Sequence, residues 1–99
     1  MTDQAIFTAI TQWLAANFST DRRVDWYVGI ASDVESRLFS SHRVDRQNGF
    51  WIYRQALNAE HARSAEAMLL RLGHDGGTSG GDHTTVFVYA YRKALGTAR

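Results

Sequence analysis

Three side chains in this sequence have the types and spacing to act together on an anionic group: Tyr27, Arg37 and Glu66. Tyr27 falls in the apolar run "DWYVGIA" and shares its strand face with Gly29, whose missing side chain would leave space open beside the phenol. Arg37 follows ten positions later on what reads as a helix. Turning about 100° per residue, it lies roughly 80° from the Val34/Leu38/Ser41 direction, a flank from which a guanidinium can lean over the sheet and still meet solvent. A phenol and a guanidinium converging on an open spot suit a phosphate, because Arg offers several donors to its oxygens and an activated Tyr can act as base or position a water. The spacing equally permits an ordinary ion pair between Arg37 and Asp33, one turn back.

Glu66, in "HARSAEAMLL", sits on the flank of another helix, with Ala62, Ala65 and Ala67 around it to leave a cleft. A carboxylate at the edge of a cleft suits Mg²⁺ or Mn²⁺, since Mg²⁺ takes only one or two carboxylates and keeps its waters. A surface Glu paired with Arg63 or Arg71 is the plainer alternative. The loop "HDGGTSGGDH" brackets its glycines with His74, Asp75, Asp82 and His83. It has neither the ending of a phosphate-binding P-loop nor a dinucleotide fingerprint, so it reads first as a turn between a helix and a strand. Trp51, Tyr53, Phe87, Tyr89 and Tyr91 could stack bases, but covering a core is their default role.

Apolar residues at helical spacing from 3 to 18 (Ile6, Ile10, Trp13, Leu14, Phe18) predict an amphipathic helix, with Thr2 or Asp3 as its cap. Strands are expected at 24–31, 50–56 and 85–93. A helix to about Ser41 should begin at a Ser32/Glu35 capping box, and another over 59–72 should be capped by Asn58 and stopped by Gly73. The order α-β-α-β-α-β makes a small α+β domain spanning 1–99, a three-stranded sheet flanked by about three helices.

Of the 99 residues, 44% are apolar and 21% charged, as in a folded globular chain. No apolar run approaches the roughly 18–20 residues of a membrane span. The start lacks a secretory pattern, so a cytoplasmic home and no membrane partner are expected. The absence of Cys removes disulfides, thiolate metal sites and thiol catalysis. The net charge is only +1, but four Arg and one Asp between Arg37 and Arg54 give a local balance of +3, which could face phosphates or simply solvent.

The stretch "YVGIASDVESRLFSSH" resembles the second half of the GIY-YIG nuclease motif. Tyr27-Val28-Gly29 stands for the second triplet and Arg37 for the Arg ten residues beyond its Tyr. His42 falls one residue after the common His position, which Ser41 occupies. Glu66 matches the metal-binding Glu of the helix that follows the next strand. The resemblance covers roughly residues 24–73. The first triplet strand is missing: "WLAANFSTDRR" stands in its place. The C-terminal "TVFVYAYRK" has the look of that strand, which implies a circularly permuted GIY-YIG-like sheet with strand 85–92 beside strand 24–31 and Tyr89 or Tyr91 facing Tyr27. What the resemblance implies is metal-dependent phosphodiester hydrolysis of nucleic acid, DNA ahead of RNA. Its site would be Tyr27, Arg37, His42, Glu66 and Tyr89, with Glu66 holding Mg²⁺ or Mn²⁺. The rival is a GIY-YIG-like module that binds nucleic acid or a protein partner without catalysis.

Overall fold

The computed structural model describes residues 1–77 and 81–99. Helix α1 (Asp3–Asn17) starts where the Thr2 hydroxyl accepts the Ala5 N–H, and it buries Ile6, Ile10 and Leu14. A short 3₁₀ turn (Arg23–Asp25) leads into β1 (Trp26–Ala31). Strand β2 (Trp51–Gln55), helix α2 (Ala59–Leu72), a two-residue β3 (Asp75–Gly76) and β4 (Phe87–Arg92) follow. Asn58 caps α2 by accepting the His61 N–H, and Gly73 ends it at φ 118°, a left-handed conformation that glycine adopts without penalty.

The class is α+β, with a four-stranded mixed sheet ordered β2-β4-β1-β3. The fourth strand lies inside the expected loop 74–83 and was not visible as a strand, because two residues carry no alternation. It pairs parallel to β1 at Tyr27 and Val28 only. Strand β4, last in sequence, is central. It runs antiparallel to β1 over six residues, with Tyr27 opposite Tyr91 and Gly29 opposite Tyr89, and antiparallel to β2 on its other side. The expected neighbour relation between the last strand and β1 is therefore present.

Alternation divides the sheet into two faces. Trp26, Val28, Ile30, Ile52, Val88 and Ala90 pack under α1 and α2 with Ile6, Ile10, Ala62, Ala65 and Leu69. Tyr89, Tyr91 and Ala31 lie on the other face with Val34, Leu38 and Val44, and with Tyr27, Phe39, Trp51 and Phe87 partly covered. Among the described residues, no helix is long and apolar enough to cross a membrane.

The segment after β1 departs from expectation twice. Its cap is Asp33, whose carboxylate accepts the Ser36 N–H, rather than a Ser32/Glu35 box. From Ser36 to Ser41 it then winds as a π-helix, the His42 N–H reaching back five residues to the Arg37 carbonyl at 2.9 Å. One extra residue per turn rotates the face by one position. Ser41, expected inward, is exposed, and His42 is buried in its place. Arg43, at φ 56°, turns the chain away, and the Val44 N–H closes on the Leu38 carbonyl.

Candidate functional site

Tyr89 is the centre of the site. Its ring lies across Gly29 on the neighbouring strand, so close that a Cβ at Gly29 would stand 2.6 Å from the Tyr89 Cζ. The space expected to stay open beside Tyr27 is filled by this ring, and only glycine permits that. The Tyr89 hydroxyl meets His42 Nε2 at 2.7 Å. On the other side of the imidazole, Nδ1 is 2.7 Å from the Ala98 carbonyl, which can only accept. Nδ1 therefore carries the hydrogen and donates, which leaves Nε2 bare to accept from Tyr89. The Tyr91 hydroxyl donates to the same Ala98 carbonyl at 3.0 Å and lies 3.1 Å from Nδ1. The half-buried Tyr27 ring stacks on Tyr91 and tilts against His42, with centroids 5.3 and 4.9 Å apart.

Electrostatics tie the remaining residues to this pair. Burial pushes the Tyr89 phenol up from its ordinary range. The Arg37 guanidinium beside it pulls the other way, and Tyr27 and the Glu66 carboxylate add to the rise. Burial holds His42 below the usual imidazole value despite its bond to Ala98, and Arg37 lowers it further. The ring is thus a neutral, buried acceptor. Burial likewise raises Tyr91, so both β4 phenols are neutral donors.

Arg37 is half-buried and makes no ion pair among the described contacts. The Asp33 carboxylate that could have paired with it is turned to the Ser36 N–H. Arg37 instead lines a polar cleft of about 270 Å³ with Ser32, Asp82, Thr85 and the end of β1.

Glu66 is 7% exposed, and the expected surface pairing with Arg63 or Arg71 is not formed. It comes from the helix on the opposite face of the sheet, where α2 also buries Ala62 and Ala65. Strand β3 covers the outer edge of β1 only at Tyr27 and Val28. Beyond them β1 has no strand neighbour on that side among the described residues. Glu66 Oε2 is buried with no hydrogen-bond partner among the described residues. Burial raises its carboxyl to about 7. Such an oxygen is satisfied by a proton, a cation or a water. A hard carboxylate donor with an unsatisfied oxygen fits a divalent ion. Among the described residues no three His, Asp or Glu side chains gather to hold one, so water or ligand oxygens would have to complete its shell.

The Gly-rich loop supplies structure in its described parts. His74 Nδ1 bonds the Leu69 carbonyl, Asp75 pairs with Lys93 and Arg99, and Asp82 holds the Thr84 N–H and hydroxyl. Residues 78–80 of this loop lie outside the described residues. Sequence reasoning missed the Ala98 carbonyl altogether, since a main-chain acceptor carries no side-chain signal.

Comparison with known proteins found no matching family model, no similar curated protein and no similar solved structure.

Proposed function

We propose that this protein is a GIY-YIG-like, metal-dependent phosphodiesterase acting on nucleic acid, with its sheet circularly permuted. One observation carries the reading. Residues from separate parts of the sequence meet at His42: Tyr89 bonds its Nε2 at 2.7 Å and Tyr27 packs against its ring, while Arg37 and Glu66 shift the Tyr89 phenol in opposite directions. The central position of β4 beside β1 supports the permutation.

In this reading Arg37 meets the phosphate and offsets the charge that builds on its oxygens as the bond order changes. A water attacking phosphorus gives its proton to the Tyr89 oxygen while the Tyr89 proton passes to His42 Nε2, and the departing oxygen leaves phosphorus as the new P–O bond forms. His42 can take that proton because its Nδ1–H is already committed to Ala98. Tyr27 flanks the same imidazole and orients the water. A divalent cation held by Glu66 would supply Lewis-acid stabilisation of the phosphate and leaving oxygen.

The test is cleavage of labelled single- and double-stranded DNA and RNA with Mg²⁺ or Mn²⁺. Cleavage that stops with chelator and falls at least about a hundredfold in Arg37→Ala and Glu66→Gln supports the reading. Wild-type rates in Glu66→Gln would overturn it.

A second reading, a GIY-YIG-like module that grips nucleic acid without cutting, is favoured by the burial of the Glu66 oxygen, which a proton satisfies as well as a metal does. It predicts binding that weakens with salt and needs no divalent ion.

A further inference from the structure

We propose that Ala98 is a positioning residue for this site: its carbonyl fixes His42 in the Nδ1–H tautomer and so keeps Nε2 available to the Tyr89 proton. The inference rests on the relay reading of His42, but its structural content stands apart from cleavage. Ala98 and His42 are joined twice, since the Ala98 N–H donates to the His42 carbonyl at 2.7 Å while the Ala98 carbonyl accepts from His42 Nδ1 at 2.7 Å. A carbonyl cannot donate, so this contact selects one neutral tautomer. The Tyr91 hydroxyl fills the second lone pair of the same oxygen and fixes its direction.

The segment that carries Ala98 is anchored on both sides. Before it, the Thr97 N–H and hydroxyl both bond Ala94 O, and the Ala94 N–H bonds the Thr97 hydroxyl. After it, the Arg99 guanidinium donates to Asp75 Oδ1 at 2.6 Å, and Asp75 Oδ2 is held by Lys93 at 2.8 Å. Asp75 is itself fixed by the pairing of β3 with β1 opposite Tyr27. The short β3 thus has a role: it presents the carboxylate that holds Arg99, and through it Ala98, against the imidazole. Without that carbonyl, Nε2 could carry the hydrogen instead and would then face the Tyr89 hydroxyl as a donor, with no site for its proton.

The experiment reads the His42 ring nitrogens by long-range ¹H–¹⁵N correlation in the intact, ¹⁵N-histidine-labelled chain. The expected result is a protonated, pyrrole-type Nδ1 and a bare, pyridine-type Nε2. Ending the chain at Gly96 should lower the ratio of Nδ1–H to Nε2–H by about fivefold, the worth of one neutral hydrogen bond. Arg99→Ala, which only unties the anchor, should move the ratio the same way, and Arg99→Lys should restore it. If the shortened chain does not fold, the Arg99 pair decides. An Nε2–H imidazole in the intact chain, or an Nδ1–H ring unmoved by the variants that fold, overturns the proposal. Absence of cleavage by the intact chain, with the Nδ1–H tautomer present, would instead count against the nuclease reading alone.

Discussion

The His42 imidazole and the Tyr89 phenol are joined by a 2.7 Å hydrogen bond across 47 positions of sequence, with Nε2 accepting. Two features of the backbone make it possible. The π-helical turn brings His42 inward in place of Ser41, and β4 inserts between β1 and β2 with Tyr89 opposite Gly29.

The two β4 tyrosines should therefore respond differently to loss of the hydroxyl. Tyr89→Phe leaves the buried Nε2 without a donor and should cost about 1–3 kcal/mol. Tyr91→Phe leaves Ala98 O still bonded to His42 Nδ1, so about 0.5–1.5 kcal/mol is expected. Urea unfolding midpoints compare them, and equal losses would contradict the bonding pattern.

Gly29→Ala drives a methyl into the Tyr89 ring. Overpacking of this kind costs about 1–3 kcal/mol, and the displaced ring should also release His42. In a Tyr89→Ala background the same change should cost far less, because the atoms it meets are gone. A double-mutant cycle by urea unfolding measures that coupling, and an additive result would place the clash elsewhere.

Glu66 gives the pH dependence a definite sign. The folded carboxyl keeps its proton to about 7, against 4.5 for the ordinary group. Between those values the folded chain binds more protons than the unfolded one. The contribution to stability is therefore full below the lower value and is lost as pH rises through the upper one. The shift corresponds to a loss on the order of 3 kcal/mol. His42 works in the opposite direction: held neutral by burial, it contributes above its ordinary value and loses that contribution as pH falls. Comparing wild type with Glu66→Gln isolates the carboxyl. The variant should gain relative stability from about pH 5 to about pH 8, and a constant difference across that range would mean that Glu66 is already ionised.

Arg37 should matter for phosphate and little for folding. Half-buried and outside any described ion pair, it is expected to change stability by less than about 0.5 kcal/mol on replacement by Gln. Its loss should weaken nucleic-acid binding or cleavage strongly. A large drop in unfolding midpoint would assign it a structural role instead.

The strands were legible in the sequence because "WYVGIA" and "FVYAYR" are short apolar and aromatic runs, whose period of two sorts the side chains between two covered faces. So were the caps at Thr2 and Asn58 and the stop at Gly73. Tyr27, Arg37 and Glu66 could be singled out by type and spacing; the structure packs Tyr27 on the face of Tyr89 and His42, and carries Glu66 on α2 at the other face. The inward turn of His42 was not legible, since a π-helical turn differs from an α-helical one by a single backbone register that side-chain periodicity does not encode. The burial of Glu66 was hidden too: a helix flank is exposed or covered according to what the sheet edge beside it does. Two-residue β3 is too short to show a period, and the Ala98 carbonyl acts through the main chain, where residue types say little.

The central proposal is that Glu66 holds a divalent cation beside the phosphate that Arg37 meets, and a Mn²⁺ titration followed by amide NMR tests it without a guessed substrate. The account predicts selective broadening of amides around Glu66, Gly29, Tyr89 and Arg37, abolished in Glu66→Gln. Broadening that bypasses these residues, or that persists unchanged in Glu66→Gln, would contradict it.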